Sequence, residues 1–360
     1  MHLGTVNMHV NILNILSRHC LYIKEYIKIV IPKFIRYLLV TWLGLTILFI
    51  ISRSSPIDPT TLLISRLTAS FGANLLPQET LESFRRTVLS LFGRDKPLFL
   101  QYIDYLKSVI TYNFGPSFSY FPIPATDIVL EHLPWTVALL SLSIPIAWIL
   151  GFLTGIIASL FENRMLGKIL KYYATALFPL PFVYLSLIMF LLFTTIIKIY
   201  TIAPGGGFMS FKLDMYTIYA FLKKAWLPAL SFVLLSSAGW LLSTKSIADA
   251  IKTEDFVTYA RLRGIPEGII SMRYILRPAS LPQITGLALS LGGMFSGALV
   301  LEQVFSYPGL GVILSSSIIS NDYTTMLAVA SLSIIGVSTA AFILDIIYPL
   351  IDPRVRYRAG

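Results

Sequence analysis

Residues 135–160 read WTVALLSLSIPIAWILGFLTGIIASL, twenty-six residues without one Asp, Glu, Lys or Arg. A helix rises about 1.5 Å per residue, so about 20 apolar residues cross the hydrocarbon layer of a bilayer. This stretch is long enough to do so. Its internal proline, Pro145, is expected to kink a membrane helix without breaking it.

The same pattern recurs on both sides. Apolar runs at about 37–52, 173–197, 227–244, 284–301 and 326–350 bring the expected spans to six. The first is short, and the apolar residues of 29–36 can extend it. Pro179 and Pro181 fall inside the third and are expected to kink it. The composition agrees: 56% of residues are hydrophobic, 13% are charged and the mean hydropathy is +0.75. A soluble domain needs far more polar surface than that. The expected fold is therefore all-α, a polytopic membrane protein with six transmembrane helices.

Six crossings put both termini on one side, and the charges choose the side. With the termini inside, segments 1–36, 161–171, 245–283 and 345–360 carry 17 Lys and Arg against 8 Asp and Glu. The intervening segments 53–134, 198–224 and 302–325 account for only +1 of the net +10. Basic residues collect on the cytoplasmic side of membrane proteins, so both termini are expected to be cytoplasmic. This also gives the positive charge a source other than nucleic acid, for which dense Lys/Arg with stacking aromatics is missing. The first apolar run is followed by Ser52-Arg53-Ser54-Ser55-Pro56 and not by a small-residue cleavage site. It reads as an uncleaved span and not as a signal peptide.

Several chemistries are excluded by what the chain lacks. Cys20 is the single cysteine, so neither an intrachain disulfide nor a cysteine metal cluster is possible. The four histidines are His2, His9, His19 and His132, none in an expected span. This argues against a membrane-embedded enzyme. The spans lack midplane acidic residues, which argues against an ion-coupled secondary transporter. No G-x-x-x-x-G-K-[ST] is present. Gly205-Gly206-Gly207 lacks the following Lys-Ser/Thr, and Ser290-Leu291-Gly292-Gly293 reads as a small-residue packing face within a span.

Two polar segments carry structure of their own. In 77–92, Leu81, Phe84, Val88 and Leu91 recur at helical spacing, and a second helical stretch runs from Lys96 to Thr111. These read either as a cap over a pathway or as a helical hairpin on the headgroups. The segment 245–283 reads helix, break, helix. Apolar Ile247, Ile251, Val257, Ala260 and Leu262 give a helix over 246–262. Gly264 is placed to end it, Pro266 to open the next helix, and Pro278 and Pro282 to end that one before the fifth span. Such a hanging turn is either a docking knob for a soluble partner or a linker lying along the membrane.

These stretches together resemble the membrane-spanning permease subunits of ATP-binding-cassette importers, specifically the dipeptide/oligopeptide permease group. The resemblance runs from about residue 33 to 357. It is carried in order by FIRYLLVTWLGLTILFIISRSSPIDP, GRDKPLFLQYIDYL, EHLPWTVALL, Trp226-Leu227-Pro228-Ala229-Leu230, DFVTYARLRGIPEGIISMRYILRPASLPQ, GALVLEQVFSYPGLG (297–311) and the stretch from Asp345 to Tyr357. The importer coupling motif is written Glu-Ala-Ala, three residues, Gly, nine residues, Ile-x-Leu-Pro. Here Thr258-Tyr259-Ala260 precedes Gly264, so only the Ala and the Gly match. Leu276 matches later, and the proline comes one residue late at Pro278.

The resemblance implies a type I importer permease fold with a helical extracytoplasmic loop. It divides the chain into an N-terminal extension (1–28), a first transmembrane helix (29–52), an extracytoplasmic loop region (53–134), a permease core (135–350, holding the coupling segment 245–283) and a cytoplasmic tail (351–360). It implies two ATPase subunits, a second and related permease chain, an extracytoplasmic substrate-binding protein and membrane lipid as partners, with no nucleic acid and no cofactor. ATP hydrolysis is expected on the separate ATPases. The residues implied to couple to them are Ala260, Arg261, Arg263, Gly264, Ile265, Pro266 and Glu267. A second motif after the fifth span comprises Gly297, Glu302, Phe305, Pro308, Gly309 and Gly311. The implied substrate is a peptide; relatives of the same architecture move oligosaccharides or other small solutes.

Overall fold

The structure, a computed structural model, describes residues 30–54, 78–91, 93, 95–200 and 214–351. The extension 1–28, the Pro56–Pro59 stretch, Gly205–Gly207 and most of the tail lie outside the described residues. So do the side chains of Leu81, Phe84, Val88 and Leu91 and of Ser290–Gly293.

Four helices are long and apolar enough to cross a bilayer: α1 (Val30–Arg53), α4 (Ala125–Leu160), α7 (Met215–Lys252) and α11 (Tyr323–Ile351). Two bent pairs bring the number to as many as six. The first is α5 (Met165–Leu177) with α6 (Phe182–Leu191), which continues as a π-helix over Leu192–Ile196. The second is the end of α9 (Arg277–Phe305) with α10 (Leu310–Ile319). Shorter helices α2 (Gln78–Leu91) and α3 (Leu98–Thr111) follow α1, and α8 (Asp255–Leu262) follows α7. No strand occurs among the described residues.

The expected third span is not one kinked helix. α5 starts at Met165, stops at Leu177, and α6 leaves it at 104°. Pro179 and Pro181 both lack an N–H, and Pro181 is extended (ψ 145°) as it leads into α6. α4 begins ten residues before the apolar window, at Ala125, with Pro134 inside it. Burial draws that end into a helix: Ala125, Ile128 and Val129 pack against Leu310 and Ala328. α7 likewise overruns its window, and Asp214 caps it by accepting from the Thr217 N–H at 2.8 Å. The helix expected over 246–262 is two helices, because α7 ends at Lys252 and α8 begins at Asp255, whose acid suits a helix N-terminus. Pro278 and Pro282 do not end the next helix. A π-helical stretch, Ile270–Leu276, runs into α9 with Pro278 in its first turn, where a missing N–H costs little.

α4 and α7 are the centre and run parallel. Cβ atoms placed on Gly151 and Gly155 would come within 2.3 Å of Trp240 Cβ and 2.6 Å of Thr244 Cβ, so the backbones meet at a glycine seam. Of the most apolar window of α7, 61% is buried, against 17% for α1. α1 is therefore peripheral. It lies on α11 through Gly44 against Ile334 and a Tyr37–Thr339 hydrogen bond of 3.1 Å. α9 joins the centre through the Gln283 amide, which donates to Ser243 Oγ at 3.0 Å. The starts of α4 and α11 and the ends of α1 and α9 share one face of the molecule. The ends of α4 and α7 and the start of α9 share the other.

Candidate functional site

The segment between α7 and α9 forms a knob on that second face. α8 ends in a paired turn: the Gly264 N–H donates to Arg261 O at 2.9 Å and the Ile265 N–H to Ala260 O at 3.2 Å. This double closure requires a left-handed residue, and Gly264 supplies it at φ +69°. Nothing lies within 4 Å of a Cβ built there, so the demand for glycine is conformational and not spatial. Pro266 then leads into a short helix, Glu267–Ile269. The Arg261 guanidinium donates to Glu267 Oε1 at 3.0 Å across the turn.

One side of the knob is buried. Val257, Ala260, Ile270 and Ile275 pack with Phe152 and Ile156 of α4, Ala248 of α7 and Ala279 of α9. The other side is open and apolar for its size: Tyr259, Leu262 and Met272 are 68%, 78% and 70% exposed. Of the residues read as coupling residues, Ala260 faces the helices and Ile265 is half-buried. Arg261, Arg263, Gly264, Pro266 and Glu267 are exposed at the turn.

An ion cluster beneath the knob ties α4 to α7, and it was not read from the sequence. The Lys245 ammonium donates to Glu162 Oε1 at 2.9 Å and Asp249 Oδ2 at 2.5 Å. Ser159 Oγ donates to Asp249 Oδ1 at 2.5 Å, and Lys252 donates to both Asp249 and the Ser159 carbonyl. The spacing of Lys245, Asp249 and Lys252 on one helix face was a local signal for part of it. Glu162 and Ser159 gave none.

The second motif forms a reverse turn on the opposite face. α9 ends at Phe305, Ser306 takes φ +49°, and the chain bends by 75° into α10. Glu302 is fully buried, and its Oε2 accepts from the Gly311 N–H at 2.6 Å. A carboxylate thus caps the start of α10. The Leu310 N–H donates to Thr136 Oγ1 at 2.9 Å, and Tyr307 Oη donates to the Trp135 carbonyl at 3.0 Å, which docks the turn on α4. A Cβ on Gly309 would lie 2.3 Å from the Glu302 carboxyl carbon, and one on Gly311 would lie 2.1 Å from the Leu299 carbonyl oxygen. Phe305 is buried against Tyr200 and Phe190. Pro308 is buried as well. Gly297 lies within α9, and its surroundings are outside the described residues.

Residues 151–357 match the family described as binding-protein-dependent transport system inner membrane component. The chain is similar to the oligopeptide transport system permease protein AppB of Bacillus subtilis, 25% identical over 88% of this chain and 95% of the relative. It is 29% identical to the oligopeptide transport system permease protein OppB of Haemophilus influenzae, over 73% of this chain and 82% of the relative. With OppB of Escherichia coli K12 the identity is 26% over 92% of this chain and 100% of the relative. The matched region runs from the glycine seam of α4 through the knob, the capped reverse turn and α11. This chain belongs to the family of inner membrane components of binding-protein-dependent transport systems.

Proposed function

We propose that this chain forms half of a pathway through which an ATP-driven importer takes up peptides delivered by an extracytoplasmic binding protein. The peptide assignment is supported by the names of the AppB and OppB relatives, which align over most of both chains. The other half belongs to a second, related permease chain. Two separate ATPase subunits hydrolyse the ATP, and both termini and the knob are cytoplasmic. Within this reading the chain divides as expected above, with 53–134 extracytoplasmic and 135–350 the core.

The observation that carries the reading is the two-sided knob. Its buried side rests on three helices that run across the molecule, and its exposed side offers Tyr259, Leu262 and Met272 to a partner. A push on the exposed side therefore reaches α4, α7 and α9 together. Arg261, Arg263, Gly264, Pro266 and Glu267 form the tip that enters the ATPase, while Ala260 and Ile265 hold the tip to the helices. Glu302, Phe305, Pro308, Gly309 and Gly311 shape the opposite mouth.

Gly264→Val tests this. A β-branched residue at φ +69° is a strained outlier. We expect the variant to reach the membrane but to lose ATP-driven uptake of a labelled oligopeptide. Gly264→Asn, which tolerates the left-handed region, is expected to recover part of it. Undiminished uptake by the valine variant would count against the coupling role. Uptake of another solute class with no peptide uptake would count against the substrate.

A further inference from the structure

The break between α5 and α6 packs on the middle of α7. A Cβ on Gly239 would lie 3.3 Å from the Phe178 ring, and the Phe182 ring stacks on Phe232 with centroids 5.5 Å apart. Tyr173 Oη donates to the Leu234 carbonyl at 2.7 Å and fastens the end of α5 at the same level. Residues 232–239 centre on the expected fourth span, 227–244. At 1.5 Å per residue the break therefore lies within about 5 Å of the bilayer midplane.

Backbone at that depth must find partners. The Leu180 N–H donates to Leu177 O at 3.0 Å and the Tyr184 N–H to Pro181 O at 3.1 Å, while Pro179 and Pro181 have no N–H to give. The carbonyls of Phe178, Pro179 and Leu180 have no partner among the described residues, and neither do the Phe182 and Val183 N–H groups that open α6. The break is not covered by its own chain: Phe178, Pro179 and Pro181 are exposed, Phe178 at 61%. Irregular backbone at membrane depth is tolerated only where it is buried in protein or lines a water-filled cavity. Lipid is therefore excluded as its neighbour. A neighbouring helix is a poor one too, because its N–H groups are committed to its own ladder and cannot supply three donors. An extended peptide has unpaired N–H groups along its length. The surroundings suit a neutral backbone, since residues 172–197 contain no Asp, Glu, Lys or Arg.

We infer that this break is a wall of the translocation pathway, where the carbonyls of Phe178, Pro179 and Leu180 accept hydrogen bonds from backbone N–H groups of the passing peptide. The inference rests on the peptide-import reading above. These bonds engage only what all peptides share, so the contact does not depend on the peptide's sequence. Phe178 and Tyr184, 61% and 59% exposed, flank the carbonyls and offer apolar area to its side chains. Water takes the same hydrogen-bonding positions when the pathway is empty.

The test uses the intact transporter in liposomes, with its ATPases and binding protein, in a chain whose Cys20 is replaced. A small hydrophilic methanethiosulfonate reagent reacts with thiolates, which form in water and not in lipid. Phe178→Cys is expected to be labelled, and Leu43→Cys, at the middle of the peripheral α1, to be unlabelled. Equal labelling at the two positions, or none at either, overturns the inference. The second readout places a photoreactive benzoylphenylalanine at Phe178. An adduct to a radiolabelled oligopeptide is expected when loaded binding protein and ATP are present, and its loss when either is left out. An adduct to lipid or to another polypeptide of the transporter, with none to the oligopeptide, overturns the inference. Uptake by the unaltered transporter separates the two readings. Without oligopeptide uptake, peptide import and this inference both fall; with it, a negative result at Phe178 removes this inference alone.

Discussion

Glu302 and the two glycines beside it are constrained from opposite directions. Gly311→Ala would bring a methyl group to 2.1 Å from the Leu299 carbonyl, and a backbone atom cannot swing aside. We expect it to lower stability by about 1–3 kcal/mol, as overpacking does, read as a fall in the melting temperature of the purified protein. Glu302→Ala strands the Gly311 N–H in a buried site and should cost about 1–3 kcal/mol. Glu302→Gln keeps an acceptor and should cost less; equal losses in the two variants would count against the cap. Little of this was legible beforehand, because Glu302 finds Gly311 only after the chain reverses. The knob was more legible. Ala260 and Gly264 are the two positions where the first part of the coupling motif matches, and they are also the two that the fold constrains, one by burial and one by φ +69°. Their neighbours Arg261, Leu262 and Arg263 are exposed, so departures there are cheap for the fold.

Hydropathy windows found the middles of the helices and missed their ends. α4 starts at Ala125 and α7 runs from Met215 to Lys252 because packing and caps, not lipid, hold the polar turns. The break at Thr253–Glu254 was hidden because apolar periodicity continues across it. Only the acidic start of α8 hinted at it. The ion cluster joining α4 to α7 makes a testable contribution here. Asp249→Ala leaves Lys245, whose side chain is 11% exposed, facing only Glu162 among its ion partners. We expect a loss of about 1–3 kcal/mol. Lys245→Met combined with Asp249→Leu should cost less than the sum of the two single changes, since replacing both members of this pair, buried at Lys245 and half-buried at Asp249, leaves neither facing an absent partner. Strict additivity in a double-mutant cycle of melting temperatures would mean the pair is not coupled. On the opposite face, the Asp104 carboxylate hydrogen-bonds Lys96 and holds its ammonium above the ordinary range.

The sidedness of the chain rests on its charges, and it is open to direct measurement. In a variant whose Cys20 is replaced, Arg263→Cys is expected to react with a membrane-impermeant thiol reagent only after the cells are opened, and Lys96→Cys in intact cells. Reaction of Arg263→Cys in intact cells would invert the topology. The parallel pairing of α4 and α7 carries a mechanical consequence. With 36 and 38 residues they form a double rod on the order of 50 Å long, stitched by the glycine seam. The knob grips this rod at one end and the capped reverse turn sits at the other. Such a rod is a lever. A tilt of about 5° at the gripped end sweeps the far end through roughly 5 Å, about the rise of one helical turn. On the coupling proposed above, ATPases acting at the knob need only a short stroke.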